Sequence, residues 1–166
     1  MAIFRLDPAG GLEQHCLRLA AILRDRGCAV TLATTRPPAV RPEGMEVLTL
    51  PRRGRSNHGR IAAFAGDAAR ALARGRFDRT VVFHAVPGFE VVFCADPSRA
   101  SPARARRWLP RYRAFARLER AAFAEDGAKL ALMLSSAQLQ AFERAHRPAE
   151  GRLALLPPTV DRRRAD

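Results

Sequence analysis

The chain has 166 residues, with 29 Lys or Arg against 16 Asp or Glu, a formal net charge of +13. Apolar residues make up 48% and charged residues 27%, a balance that suits one domain with its own core and excludes wholesale disorder. No apolar run approaches the ~18 residues of a membrane span, and neither a secretory leader nor a transmembrane helix is expected.

In chain order, AIFRL at 2–6 reads as a short apolar strand and DPAGG at 7–11 as a turn. Leu12, Cys16, Leu19, Ala20 and Leu23 recur at helical spacing until Gly27. Strands follow at 28–34 and 45–51, separated by a Pro- and Arg-rich loop. RRGRSNHGR at 52–60 reads as a basic loop, and 61–74 as an Ala-rich helix stopped by Gly75. Strands are expected at 80–84 and 89–96. A long basic helical region spans 103–125, where Pro110 is expected to break or kink the helix. A strand at 129–135, a helix at 136–146 and a strand at 152–158 complete the pattern. Alternating helices and continuous apolar strands predict a parallel sheet covered on both faces, a Rossmann-like doubly wound α/β domain. Its ligand crevice belongs beyond the carboxyl ends of the strands. Residues 1–158 form this domain, and 159–166 read as the start of a linker.

The charge points to an anionic partner: nucleic acid, a lipid surface or a phosphorylated substrate. Only one of the 29 cations is lysine, Lys129. Codon bias accounts for that choice but not for the excess. Cys16, Cys28 and Cys94 form no CxxC pair, which fits a reducing compartment and small buried thiols.

Three features fall at strand ends. Gly10-Gly11 precedes the first helix, where backbone can approach a phosphate closely, or where a glycine pair merely makes a turn. His84 ends a strand and suits a base or a hydrogen-bond donor; a packed histidine is the alternative. Asp96 ends FEVVFCAD and suits a base or a sugar-hydroxyl ligand; capping a following turn is the alternative. Two basic elements add to these. Arg52, Arg53, Arg55 and Arg60 flank Ser56-Asn57-His58-Gly59, a mixture suited to a phosphorylated or hydroxyl-rich ligand or to plain solvation. Residues 99–120 carry eight arginines and one acid, Glu119, with Trp108, Leu109, Tyr112, Phe115 and Leu118 interleaved. Such a stretch suits an anionic membrane interface, or else an ordinary amphipathic helix. The aromatic signatures of RNA-binding modules are absent, and nucleic acid is not expected as a partner.

Gly10-Gly11-Leu12, Arg26-Gly27-Cys28-Ala29-Val30, Asn57-His58-Gly59-Arg60, Pro87-Gly88, Ala95-Asp96, Arg111-Tyr112-Arg113, Glu119-Arg120-Ala121 with Phe123, and Leu156-Pro157-Pro158 occur in this order. With them the chain resembles the N-terminal domain of a family-4 GT-B glycosyltransferase, of the lipopolysaccharide core glucosyltransferase I type. The resemblance implies a retaining, metal-independent transfer of glucose from UDP-glucose to a core heptose, with no cofactor. This domain would bind the acceptor, a phosphorylated lipid-linked saccharide, at the anionic cytoplasmic face of the inner membrane. Asp96 and His84 are then the expected catalytic residues, and Gly10, Gly11 and Glu13 face the donor diphosphate. Arg52, Arg53, Asn57, His58, Arg60, Pro87 and Gly88 bind the acceptor. Arg104, Arg106, Arg107, Trp108, Arg111, Tyr112 and Arg113 form the membrane surface.

The family's Glu-x7-Glu pair has no counterpart here, so a separate C-terminal donor-binding domain is expected and this chain is expected to be inactive alone. His15 stands where the type has an acid, Cys28 where many members have histidine, and Thr159 where a glycine is usual. Other readings are a family-4 transferase with a different nucleotide sugar or acceptor, and a non-catalytic polyanion- or membrane-binding module.

Overall fold

The structure, a computed structural model, describes residues 1–7, 9–75, 77–100 and 108–157. Ten elements follow in order: α1 (Gly11–Asp25), β1 (Thr31–Thr34), β2 (Glu46–Thr49), α2 (Asn57–Arg74), β3 (Val81–Val82), β4 (Val91–Cys94), α3 (Pro110–Ala122), β5 (Leu130–Met133), α4 (Ser136–His146) and β6 (Leu153–Leu155). Arg104, Arg106, Arg107 and the linker at 159–166 lie outside the described residues.

Every ladder is parallel: β1 with β2, β3 with β4, β4 with β5 and β5 with β6. Residues 1–4 run between the two groups. Ala2 bridges both Ala33 and Val82. Its N–H donates to the Val81 carbonyl (2.7 Å), and its own carbonyl accepts from Phe83 (2.9 Å). On the other side Ile3 donates to Ala33 (3.0 Å) and Ala33 donates to Met1 (2.8 Å). The expected first strand is thus present as a narrow central thread, with bridges at Ala2 in place of a full ladder over 2–6. Across the sheet the order is β2, β1, residues 1–4, β3, β4, β5, β6. It is a doubly wound Rossmann-like α/β arrangement, whose order reverses between residues 1–4 and β3.

Side chains alternate strictly across the sheet, as the period of two requires. Ala2, Ala33, Val82, Val92, Cys94, Ala131 and Met133 join one core with Phe64, Ala65, Ala68 and Leu72 of α2, Ala122 of α3 and Phe142 of α4. Ile3, Leu32, Phe83 and Phe93 join the other with Cys16 and Ala20 of α1. The strands look continuously apolar in sequence because both faces are covered.

Several boundaries differ from the sequence reading. The basic loop ends at Ser56, whose Oγ accepts from the Gly59 N–H (3.1 Å), so Asn57, His58 and Arg60 occupy the first turn of α2. A capping serine outweighs the low helix propensity of Asn and Gly that follow it. Pro110 neither breaks nor kinks a helix; it starts α3, where its fixed φ and missing N–H cost nothing. The strand expected at 80–84 stops after Val82, because Val86 donates to the His84 carbonyl (2.8 Å) and bends the chain toward the sheet's end. Cys16 and Cys94 are buried, but Cys28 is exposed. It follows the Gly27 turn that ends α1 (φ 85°) and precedes the covered strand.

Gly88 adopts φ 95°, and a Cβ there would approach the Ala69 side chain of α2 to 2.8 Å. Nothing lies within 4 Å of a Cβ built on Gly11. Gly88→Ala is therefore expected to destabilise the fold by about 1–3 kcal/mol, whereas Gly11→Ala leaves stability unchanged or slightly raised. Urea unfolding of the two variants beside the parent chain checks both.

Candidate functional site

The order reversal leaves a crevice beyond the strand ends, with a volume of about 580 Å³. Phe4 and Arg5 enter it from the central thread, Leu12 and Glu13 from α1, Arg52 from the segment before α2, and Asn57, Arg60 and Ile61 from the start of α2. His84, Ala85 and Val86 follow β3, and Ala95, Asp96, Pro97 and Arg99 follow β4. Arg111, Tyr112, Phe115 and Glu119 of α3 close it. Among the described residues, five arginines and three carboxylates line this space, an excess of positive charge.

His84 sits against the aromatic rings of Phe4 and Phe64, edge-on to both. The Phe4 N–H donates to its Nε2 (3.2 Å). Burial, partly offset by Asp96 and aided by Arg5, lowers its pKa to about 4. The ring is therefore neutral near pH 7, and with Nε2 an acceptor the proton resides on Nδ1. Of the two roles open in the sequence, this geometry suits a hydrogen-bond donor better than a base.

Asp96 has a side chain 77% exposed, with one oxygen 3.8 Å from Arg99. The next described helix begins only at Pro110. Its backbone is held by Gln138 of α4, whose side-chain N–H₂ donates to the Cys94 and Asp96 carbonyls (3.0 and 2.8 Å) while its oxygen accepts from Leu134 (2.8 Å). Gln138 escaped sequence reasoning because only the fold brings the start of α4 to the end of β4.

Glu119 was also missed. Counted in sequence as the lone acid of a basic surface stretch, it is only 2% exposed. Its Oε1 accepts from Ser98 Oγ (2.6 Å) and His146 Nε2 (2.7 Å), and Oε2 accepts from the Arg99 N–H (2.7 Å). Burial pushes its pKa up, but His146, Ser98 and Arg99 together outweigh this and hold it below the usual carboxylate value. An ionised carboxylate only accepts, so His146 Nε2 carries a proton. The His146 ring, stacked on Phe123 at 4.9 Å, is locked in place. The signal available in sequence was position: Glu119 lies three residues after Ala116 and three before Ala122, on the apolar stripe of α3.

The other expected residues divide. Arg52, Asn57, Arg60 and Glu13 reach the crevice. Arg53 is turned aside, 3.7 Å from the buried Asp67 carboxylate of α2. His58 lies 3.1 Å from Ser56 Oγ at the helix cap. Pro87 and Gly88 are not among the crevice walls; Gly88 allows close packing on Ala69. Gly10 caps α1 with extended backbone, and a Cβ there would meet the Glu13 carboxylate. The aromatic stretch does not form one outward face. Phe115 and Leu118 pack on the core and Tyr112 lines the crevice, because the i, i+3, i+6 row faces the sheet. Trp108 and Leu109 stay exposed, as do Arg111 and Arg113.

A sequence profile of Glycosyltransferase Family 4 matches residues 9–164. The chain belongs to glycosyltransferase family 4. It is 29% identical over 163 residues to the lipopolysaccharide glucosyltransferase WaaG of Escherichia coli (strain K12), covering 95% of this chain and 44% of that protein. A crystal structure of WaaG, a glycosyltransferase involved in lipopolysaccharide biosynthesis, superposes with a TM-score of 0.88 at 29% identity. It covers 98% of this chain and 46% of the solved one, so the chain spans less than half the length of these relatives.

The Glu119 cluster has a pH signature. A carboxylate with a depressed folded pKa stabilises fully above its ordinary value of 4.5, and loses that contribution as pH falls through the folded value. Glu119→Gln is expected to cost about 2–3 kcal/mol near pH 7. The gap from the parent should narrow in the acid range. Denaturant unfolding at a series of pH values checks this; a gap independent of pH contradicts it.

Proposed function

We propose that this domain binds the acceptor in a retaining transfer of glucose from UDP-glucose to a heptose of the lipopolysaccharide core. The observation that carries the reading is the electropositive crevice at the switch point, with His84 held neutral and Asp96 beside it, in a family-4 domain similar to WaaG. A diphosphate is an anion, and the first turn of α1 offers N–H groups at Gly11, where nothing lies within 4 Å of a built Cβ, while the Glu13 carboxylate lies against Gly10. His84, with Nδ1–H as its remaining polar function, donates to a sugar hydroxyl or to developing negative charge on the leaving phosphate. Asp96 accepts from a sugar hydroxyl. Asn57 and Arg60 at the start of α2, and Arg52 just before it, orient the ligand. The donor is held mainly by a second, C-terminal domain, and no metal or other cofactor takes part.

The test joins this domain to its donor-binding domain and measures glucose transfer to a heptose-terminated core acceptor. Asp96→Ala, on an exposed side chain, and His84→Asn are each expected to lower kcat by ~10²–10³, the loss typical of one preorganised transition-state contact. Turnover with a different nucleotide sugar but not UDP-glucose would keep the family and replace the donor. Unchanged rates in both variants would remove these residues from the reaction.

We further propose that the domain docks on the anionic inner membrane from the cytoplasmic side. Trp108 is 71% exposed and Leu109 43%. Arg113, Arg117 and Arg120 form a stripe along α3, flanking an open groove with Pro110 and Ala114. At roughly 1 kcal/mol per arginine near anionic lipid, this stripe favours reversible docking, to which Arg104, Arg106 and Arg107 would add. Replacing Arg113, Arg117 and Arg120 with Gln is expected to weaken co-sedimentation with anionic vesicles by about 100-fold. Neutral vesicles should bind neither form. Binding indifferent to lipid charge would refute the docking surface.

A further inference from the structure

Two arginines on the far wall of the crevice are not accounted for by the glycine-rich end or by the strand-end pair. The Arg99 guanidinium lies 5.7 Å from the Tyr112 ring centroid and 5.5 Å from that of Phe115. The Arg111 guanidinium lies 5.2 Å from the Tyr112 centroid. All four residues line the same space. A guanidinium resting on an aromatic face keeps its in-plane N–H edge for acceptors, the geometry that matches carboxylate and phosphate.

Among the described residues neither guanidinium has a carboxylate within hydrogen-bond reach. The Arg99 guanidinium makes only a long ion pair, to Asp96 at 3.8 Å. Among the described residues, Arg111 has no carboxylate within ion-pair distance. The carboxylate beneath them, Glu119, is already engaged by Ser98, His146 and the Arg99 backbone N–H. It anchors Arg99 through the main chain and leaves the guanidinium to the crevice. The residue is therefore fixed at its backbone from below and at its side chain by two rings, which lowers the entropy lost on gripping a ligand.

We propose that Arg99 and Arg111, mounted on Tyr112 and Phe115, form a subsite for an acidic group on the acceptor saccharide, a phosphate or a carboxylate. This rests on the reading of the crevice as an acceptor site. The apolar edges of Tyr112 and Phe115 give the adjoining sugar ring a surface, so the subsite selects an acidic sugar over a bare anion. Glu119 is a positioning residue for it, acting through the Arg99 main chain.

The test titrates the 166-residue chain with mannose 6-phosphate, glucuronate, mannose and inorganic phosphate, following the arginine Nε–Hε and Tyr112 ring signals by NMR. At least one acidic sugar is expected to bind about tenfold or more tighter than mannose and than inorganic phosphate, the scale of one charge-assisted contact. A tighter fit for mannose 6-phosphate assigns phosphate; a tighter fit for glucuronate assigns carboxylate. Arg111→Gln, on an exposed first turn, and Arg99→Gln, which keeps the N–H to Glu119, should each abolish this preference without changing thermal stability. Excess UDP should not displace the acidic sugar. Inorganic phosphate binding as tightly as the acidic sugars, unaltered affinity in Arg111→Gln, or displacement by UDP would each overturn the subsite. Acidic-sugar binding that depends on both arginines, in a chain that transfers no hexose once joined to its donor domain, would uphold the subsite and remove the transferase reading.

Discussion

The N–H of Phe4 is the point where the sheet's central thread runs out of partners on the β3 side. Up to Ile3, the backbone of residues 1–4 is paired to β1 on one side and β3 on the other. At Phe4 the chain has risen above the end of β3, and its N–H turns to the ring of His84 instead (3.2 Å). That single bond ties the middle of the sheet to the floor of the crevice. It exists because the winding order reverses there, which sends the following connections to opposite faces and leaves an opening between them. It also sets the chemistry of the floor, since a ring accepting through Nε2 in a desolvated place stays neutral and carries its proton on Nδ1.

The second anchor lies on the opposite wall. Glu119 is a charge taken out of water, a costly choice unless every lone pair finds a donor. Ser98, Arg99 and His146 supply them from the segment after β4 and from the end of α4. The cluster joins three elements that the hydrophobic core alone would leave free to slide, and it fixes the segment carrying Asp96 and Arg99. Gln138 does similar work with neutral groups, binding the carbonyls of Cys94 and Asp96. The crevice walls are thus held by polar contacts of fixed geometry, while its surroundings are held by apolar packing.

α3 shows how one helix serves two environments. Phe115, Leu118 and Ala122 bind it to the core, Arg111 and Tyr112 reach the crevice, and Arg113, Arg117 and Arg120 remain outside. A run of arginines that looks uniform in sequence is divided by the ~100° step between residues. The same division applies to the basic segment before α2, where Arg52 enters the crevice while Arg53 turns to Asp67.

The sequence by itself determined the fold class and the places of the strand ends. Continuous apolar runs alternating with amphipathic helices have few other solutions than a covered parallel sheet, and Gly27 marks the end of α1 by local chemistry; Ser56 and Pro110, read as loop and as a break within a helix, instead open α2 and α3. His84 and Asp96 were legible as strand-end positions, and the structure places both on the crevice, while the sequence left packing or capping open for each. The pairing of distant polar groups was decided by tertiary structure alone. Glu119 with Ser98 and His146, Gln138 with Asp96, and Phe4 with His84 span 21 to 80 residues of chain, and no periodicity relates partners so far apart. The direction of each arginine was likewise settled only by packing, since a long flexible side chain takes its place from the rings and carboxylates that the fold sets beside it.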